Sequence, residues 1–168
     1  VNIDVKPIKE FQKKLASAEK SVDKCCRSIA KELGSAYLQS VIPKTPVYAP
    51  KTVGDHYFEA YDHGSKRKSD AALRKKWSED NRNIRVVKTG GDYEVTIRNS
   101  SPYASFVDEG HTQRVGEKFP TYMDGQLIMA THRVAFVNGE NFTGKAIAEV
   151  ERKARSIEER NVKVWLKI

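Results

Sequence analysis

Between Ile8 and Ile29, apolar or small residues recur at Ile8, Phe11, Leu15, Ala18, Val22, Cys25 and Ile29, in steps that alternate three and four. This spacing draws one narrow apolar stripe along an α-helix and has no counterpart in the period-two alternation of a strand. The stripe continues less strictly through Leu33, Ala36 or Tyr37, and Val41. Pro7 suits a first helical turn, and Pro43 is expected to stop the helix beyond Ile42. At the usual rise per residue this helix is roughly 50 Å long. A stripe of that length exceeds what one small core covers. Its partner is either the C-terminal helix of the same chain or another subunit.

The rest of the chain breaks into shorter pieces. Pro43, Pro46, Pro50, Gly54 and Gly64 mark residues about 48–70 as an extended, mobile loop. Ala71 to Trp77 reads equally as a short helix or as an extended stretch. Ile84 to Lys88 and Tyr93 to Arg98 are β-rich, and Thr89-Gly90-Gly91-Asp92 between them tolerates the positive φ of a tight hairpin turn. Tyr93, Val95 and Ile97 alternate with Glu94, Thr96 and Arg98, so one face is expected buried and the other wet. Ser101 and Pro102 open a short helix that Gly110 closes. A second long loop is expected at about 112–126, then a strand at Leu127 to Ala130. A closing helix starts at Phe142 or Thr143 and is carried by Ile147, Val150, Ala154, Ile157, Val164 and Ile168, with a break at Asn161. The expected fold class is α+β in a single domain over 1–168: a long N-terminal helix, a small antiparallel sheet with a hairpin, a short central helix and a C-terminal helix.

Composition narrows the function. No stretch approaches the ~18 apolar residues of a membrane span, and Val1 to Glu10 alternates apolar and charged residues with no signal-peptide core. A protein made in the cytoplasm, with no membrane partner, is expected. The net charge of +8 is concentrated: Gly64 to Lys88 holds nine Lys or Arg against Asp70, Glu79 and Asp80, whereas residues 89–168 balance to zero. A local basic segment suits DNA or an acidic protein partner, and is otherwise a solvated loop. Lys66, Arg67, Lys68, Lys75 and Lys76 are the candidates to face that polyanion.

Catalytic chemistry has no foothold. No glycine loop has dinucleotide or P-loop spacing, and no Gly-x-Ser-x-Gly elbow occurs. His56, His63, His111 and His132 are scattered, the adjacent carboxylates Asp108-Glu109 and Glu158-Glu159 diverge, and Cys25 and Cys26 are neighbours on one helix with no second pair. The expectation is a non-enzyme with no catalytic, cofactor or metal residue.

The order of the pieces carries a resemblance. Thr45-Pro46-Val47 follows the first helix, and Leu73-Arg74-Lys75-Lys76-Trp77 follows the loop. Pro102-Tyr103-Ala104-Ser105-Phe106-Val107-Asp108-Glu109-Gly110 follows the hairpin, and Val137-Asn138-Gly139 precedes the last helix. The set resembles the tail-completion or head–tail joining (neck) proteins of tailed bacteriophages. That resemblance implies a structural virion protein, assembled in the host cytoplasm as a six-fold or twelve-fold homo-oligomeric ring around the DNA channel. Its neighbours would be head-connector and tail-terminator or tail-tube proteins, with non-specific contact to packaged DNA. Tyr103, Ala104, Phe106, Val107, Glu109 and His111 are the expected subunit interface, or else core. The reading from another class is a stand-alone nucleic-acid-binding module using the basic 66–88 segment.

Overall fold

A computed structural model of the chain describes residues 6–47, 51–62, 65–66 and 71–166, with backbone alone at 6–9, 51, 57–62 and 65–66. The elements in order are α1 (Lys6–Lys44), β1 (Lys51–Val53), β2 (His56–Asp62), β3 (Ser65–Lys66), α2 (Ala72–Asp80), β4 (Val86–Thr89), β5 (Asp92–Val95), α3 (Ala104–Glu109), β6 (Gly110–Thr112), β7 (Lys118–Met123), β8 (Gln126–Thr131), β9 (Phe136–Asn138) and α4 (Phe142–Leu166). The fold is α+β, with the long first helix, hairpin, short central helix and closing helix that the sequence leads one to expect. The described residues form two compact units. One draws on the described residues within 6–37, 83–97 and 148–166, the other on those within 38–82 and 98–147.

In the first unit α4 runs antiparallel to α1. The Trp165 indole N–H donates to Ser21 Oγ at 2.6 Å, Ser28 Oγ donates to Asn161 Oδ1 at 2.8 Å, and Arg160 pairs with Glu32. The expected break at Asn161 does not occur. Its amide donates to Ile157 O at 2.9 Å and to Glu32 Oε2 at 2.6 Å, so the residue ties the helices together without interrupting one. The β4–β5 hairpin packs on the same stretch of α1. Tyr93 and Val95 turn inward while Glu94 and Thr96 are exposed. Gly34 is buried where the hairpin closes on the helix: a Cβ there would stand 2.9 Å from Val95 Cγ1.

Asp23 fastens the hairpin to the helix. It accepts from Arg27 Nε at 2.7 Å, Tyr93 Oη at 2.9 Å and Lys88 Nζ at 3.3 Å, and Arg27 also donates to Val86 O at 3.0 Å. The Arg27 hydrogen bond, then that of Tyr93, hold the carboxyl at about 2, below the usual carboxylate range. Because the folded value lies below the unfolded one, the stabilisation is complete above the unfolded pKa. It is lost as pH falls through the folded value. Asp23→Asn is therefore expected to lower the melting temperature at pH 7, with the gap to wild type closing between about pH 4 and about pH 2. A gap that stayed constant over that range would remove the ionised carboxylate from the account.

The second unit has its core where the last turn of α1, α2 and the first turns of α4 meet: Val41, Leu73, Trp77, Phe142 and Ala146 are buried. The stop expected at Pro43 falls later. Pro43 lies inside the last turn, and the helix ladder continues past it because Thr45 N donates to Val41 O at 2.9 Å. The sheet order is β1-β2-β7-β8, antiparallel throughout, with β3 on β2, and β6 pairs separately with β9. Three short strands thus occupy much of the stretch 48–70 read as loop, and β7 occupies much of 112–126. The cause is non-local: β2 pairs with β7, Phe58 opposite Met123 and Ala60 opposite Thr121, far beyond any local window of sequence.

Candidate assembly interface

The motifs that stand out in the sequence turn inward and hold the second unit together. Thr45 is fully buried, donates its hydroxyl to Val41 O at 2.8 Å and accepts the Trp77 indole N–H at 2.9 Å. Arg74 donates from Nη2 to Thr45 O at 2.7 Å and to Pro43 O at 3.2 Å. Thr45-Pro46-Val47 and Leu73-Arg74-x-x-Trp77 are thus two halves of one clasp, and Phe142 closes it edge-on against Trp77 at 6.5 Å. Asn81 extends it by bridging Trp77 O and both backbone groups of Arg98. Asp80 accepts from Ser100 N at 2.6 Å, which holds its carboxyl below the usual range. Asn81 was not legible in the sequence, where it reads as an ordinary helix-end residue.

The residues expected at a subunit interface divide. Ala104 and Val107 are half-buried within α3, and Tyr103 is half-buried at its start. Glu109 is exposed, and Phe106 is 55% exposed. His111 is half-buried, its ring tilted on that of Phe106 at 5.8 Å, and its Nδ1 is shielded from solvent with no hydrogen-bond partner among the described residues. Asp108, by contrast, is structural: it accepts Thr143 N at 3.0 Å and the Thr143 hydroxyl, capping the start of α4 from outside the helix. Of this segment Phe106 therefore offers the largest free apolar surface, and Tyr103 less than its size suggests.

The basic candidates divide as well. Lys75 is exposed on α2, whereas Lys76 lies 3.6 Å from both Glu79 and Asp80. Arg67 and Lys68 lie outside the described residues, and Lys66 is described by backbone alone in β3. Two further cations of the same segment are engaged internally, Arg74 on carbonyls and Lys88 on Asp23. Among the described residues no group of three His, Cys, Asp or Glu could hold a metal, and no helix is long and apolar enough to cross a membrane.

Apolar surface is left open on both units. In the first, Phe11, Leu15 and Val22 are 61%, 54% and 45% exposed along α1. An apolar groove of about 750 Å³ lies in the same unit, lined by Ile29, Leu33, Gly34, Val95, Ile97 and Val162. In the second, Leu127 and Met129 are exposed on β8, the outer strand of its sheet, and Phe136 is exposed on β9. Leu127 and Met129 had a signal in the sequence: β8 reads apolar on both faces, as a strand covered on both sides does.

Searches of curated proteins and of solved structures return no significant match. A family model does match, over residues 9–110, which takes in the stripe, the clasp, the hairpin and α3 through Gly110. With more than half its length matched, the chain belongs to the HK97-gp10-like family, "Bacteriophage HK97-gp10, putative tail-component".

Proposed function

We propose that this chain is a structural protein of the phage neck or tail, built as a homo-oligomeric ring that completes the tail and joins it to the head around the DNA channel. The observation that carries the reading is the open apolar surface on both units, Phe11, Leu15 and Val22 in one and Phe106, Leu127, Met129 and Phe136 in the other. Exposed large apolar residues in such number mark surfaces that other proteins cover. The mechanism is assembly. The clasp and the Asp108 cap set rigid second-unit geometry, and the apolar side chains that geometry presents are buried when copies and adjoining rings dock. Lys75, with Lys66, Arg67 and Lys68, is proposed to face packaged DNA or an acidic rim of a neighbouring ring. The assembly takes place in the host cytoplasm and ends in the virion.

The test is incorporation. Phe106→Asp changes an exposed residue whose ring packs on His111, so stability should fall by about 1 kcal/mol. An anchor lost from an interface weakens assembly on the order of tenfold or more. The variant is expected to purify folded and melt within a few degrees of wild type while tails carrying it, and infectious particles made from them, fall by that factor. Normal yield with the variant present in virions would take Phe106 out of the interface. A stand-alone nucleic-acid binder would give a different result: tight DNA binding by the free chain that weakens tens-fold or more between ~50 and ~200 mM salt.

A further inference from the structure

The first half of α1 has no cover within the chain as described. The Trp165 indole donates to Ser21 near the end of α4, and every residue from Glu10 to Lys20 is exposed. This bare segment keeps the three-four stripe of the packed part of the helix. With Leu15 and Val22 at heptad position a and Phe11 and Ala18 at d, Cys25 and Ile29 continue the same register into the packed region. Residues 10–22 are thus the free end of a seam whose other end is already occupied by α4 and the hairpin.

The charges beside the seam select the occupant. In this register Lys14 takes position g and Glu19 takes position e of the following heptad. Two parallel helices in register bring g of one against that e of the other, so Lys14 of each copy meets Glu19 of its neighbour. An antiparallel pair would set g against g and e against e. It would then oppose Lys14 to Lys14 or Ser21, and Glu19 to Gln12 or itself, with no attractive match. The helix is complementary to a parallel copy of itself.

We infer that residues 10–22 of α1 form a parallel, in-register contact with the same segment of a second copy of this chain, with Phe11, Leu15, Ala18 and Val22 in its seam and Lys14–Glu19 ion pairs at its flanks. The inference rests on the assembly reading above and deepens it by naming one contact between copies. Such a pair is two-fold and isologous, so it joins copies in twos and leaves ring closure to the other exposed apolar faces.

Charge reversal tests it on the full chain. Lys14→Glu alone and Glu19→Lys alone each place like charges across the seam and should weaken self-association on the order of tenfold, read by sedimentation across a concentration series. The double variant Lys14→Glu/Glu19→Lys restores the pairing and should return to wild-type association. So should an equimolar mixture of the two single variants. Leu15→Lys, which puts a charge in the seam, should abolish association, and circular dichroism should show all variants as helical as wild type. If wild type associates and the single reversals match it, another face joins the copies and the inference is overturned. Failure of the double variant and of the mixture to recover overturns the parallel register. A wild-type chain that stays monomeric at every concentration also overturns the contact. The assembly reading is judged apart from it, by whether the chain is found in virions and whether Phe106→Asp depletes it there.

Discussion

Trp77→Ala is expected to destabilise the second unit by about 3–5 kcal/mol, the usual range for removing a fully buried aromatic side chain. Trp77 is 5% exposed, packs edge-on with Phe142 and donates its indole N–H to buried Thr45. Truncation leaves a void between α2 and α4 and removes the donor to the Thr45 hydroxyl oxygen. Two milder substitutions separate these terms. Trp77→Phe keeps much of the ring volume and loses the donor. Thr45→Val keeps the volume and removes the hydroxyl that accepts the indole N–H, at a cost of about 1–3 kcal/mol. The order expected in urea denaturation is Trp77→Ala worst, with the other two between it and wild type. Trp165, the other tryptophan, lies in the first unit and reports that unit by fluorescence in the Trp77 variants. A loss below about 1 kcal/mol for Trp77→Ala would mean that the clasp is not what holds α1, α2 and α4 together.

The parts of this fold that were legible in the sequence are those whose physics is local. The stripe from Phe11 to Ile29 specifies a helix by its spacing alone, and the Thr89 to Asp92 turn specifies a hairpin by backbone permissiveness, with Gly90 at φ +62°. The closing helix starts at Phe142 as expected. The β1-β2-β7-β8 sheet was not legible, because β2 finds its partner in β7 across α2, the hairpin and α3. Proline and glycine around β1 and β2 read as loop when taken alone. The candidate site was legible as motifs but not as roles. Tyr103 to His111 stood out as a short helix placed at a subunit interface or in the core, yet Asp108 within it caps a helix thirty-odd residues onward, a relation visible only in three dimensions. The basic segment was legible as charge, whereas the engagement of Arg74, Lys76 and Lys88 by internal partners was not.

Gly139→Ala should be nearly as damaging as Trp77→Ala, for a different reason. Chain segments 107–112 and 136–143 run against each other with no room for a side chain between them. Gly110 lies opposite Asn138 and His111 opposite Val137. Beyond the strands, Glu140 N donates to Val107 O at 2.9 Å and Asn141 N to Asp108 O at 2.8 Å. A Cβ on Gly139 would run into the carbonyl oxygen of Asp108, the carbonyl carbon of Glu109 and the amide nitrogen of Gly110. All three are backbone atoms, so no rotamer change relieves the overlap and the segments must separate. Separation breaks the two backbone hydrogen bonds and draws Asp108 away from Thr143, so α4 loses its cap as well. Summing about 1 kcal/mol for each hydrogen bond and about 1 for the cap, with overpacking strain added, gives a loss on the order of 4 kcal/mol. Gly116→Ala is the control. Gly116, unlike Gly139, has positive φ, +87°, but nothing lies within 4 Å of its Cβ direction. Only backbone strain of about 1–2 kcal/mol is expected there. Asp108→Ala isolates the cap, at about 1 kcal/mol. Urea midpoints for the three variants, followed by Trp77 fluorescence in a Trp165→Phe background, should therefore rank Gly139→Ala far below the other two. If Gly139→Ala and Gly116→Ala unfold together, the close approach of the two segments costs no more than backbone strain at an open glycine.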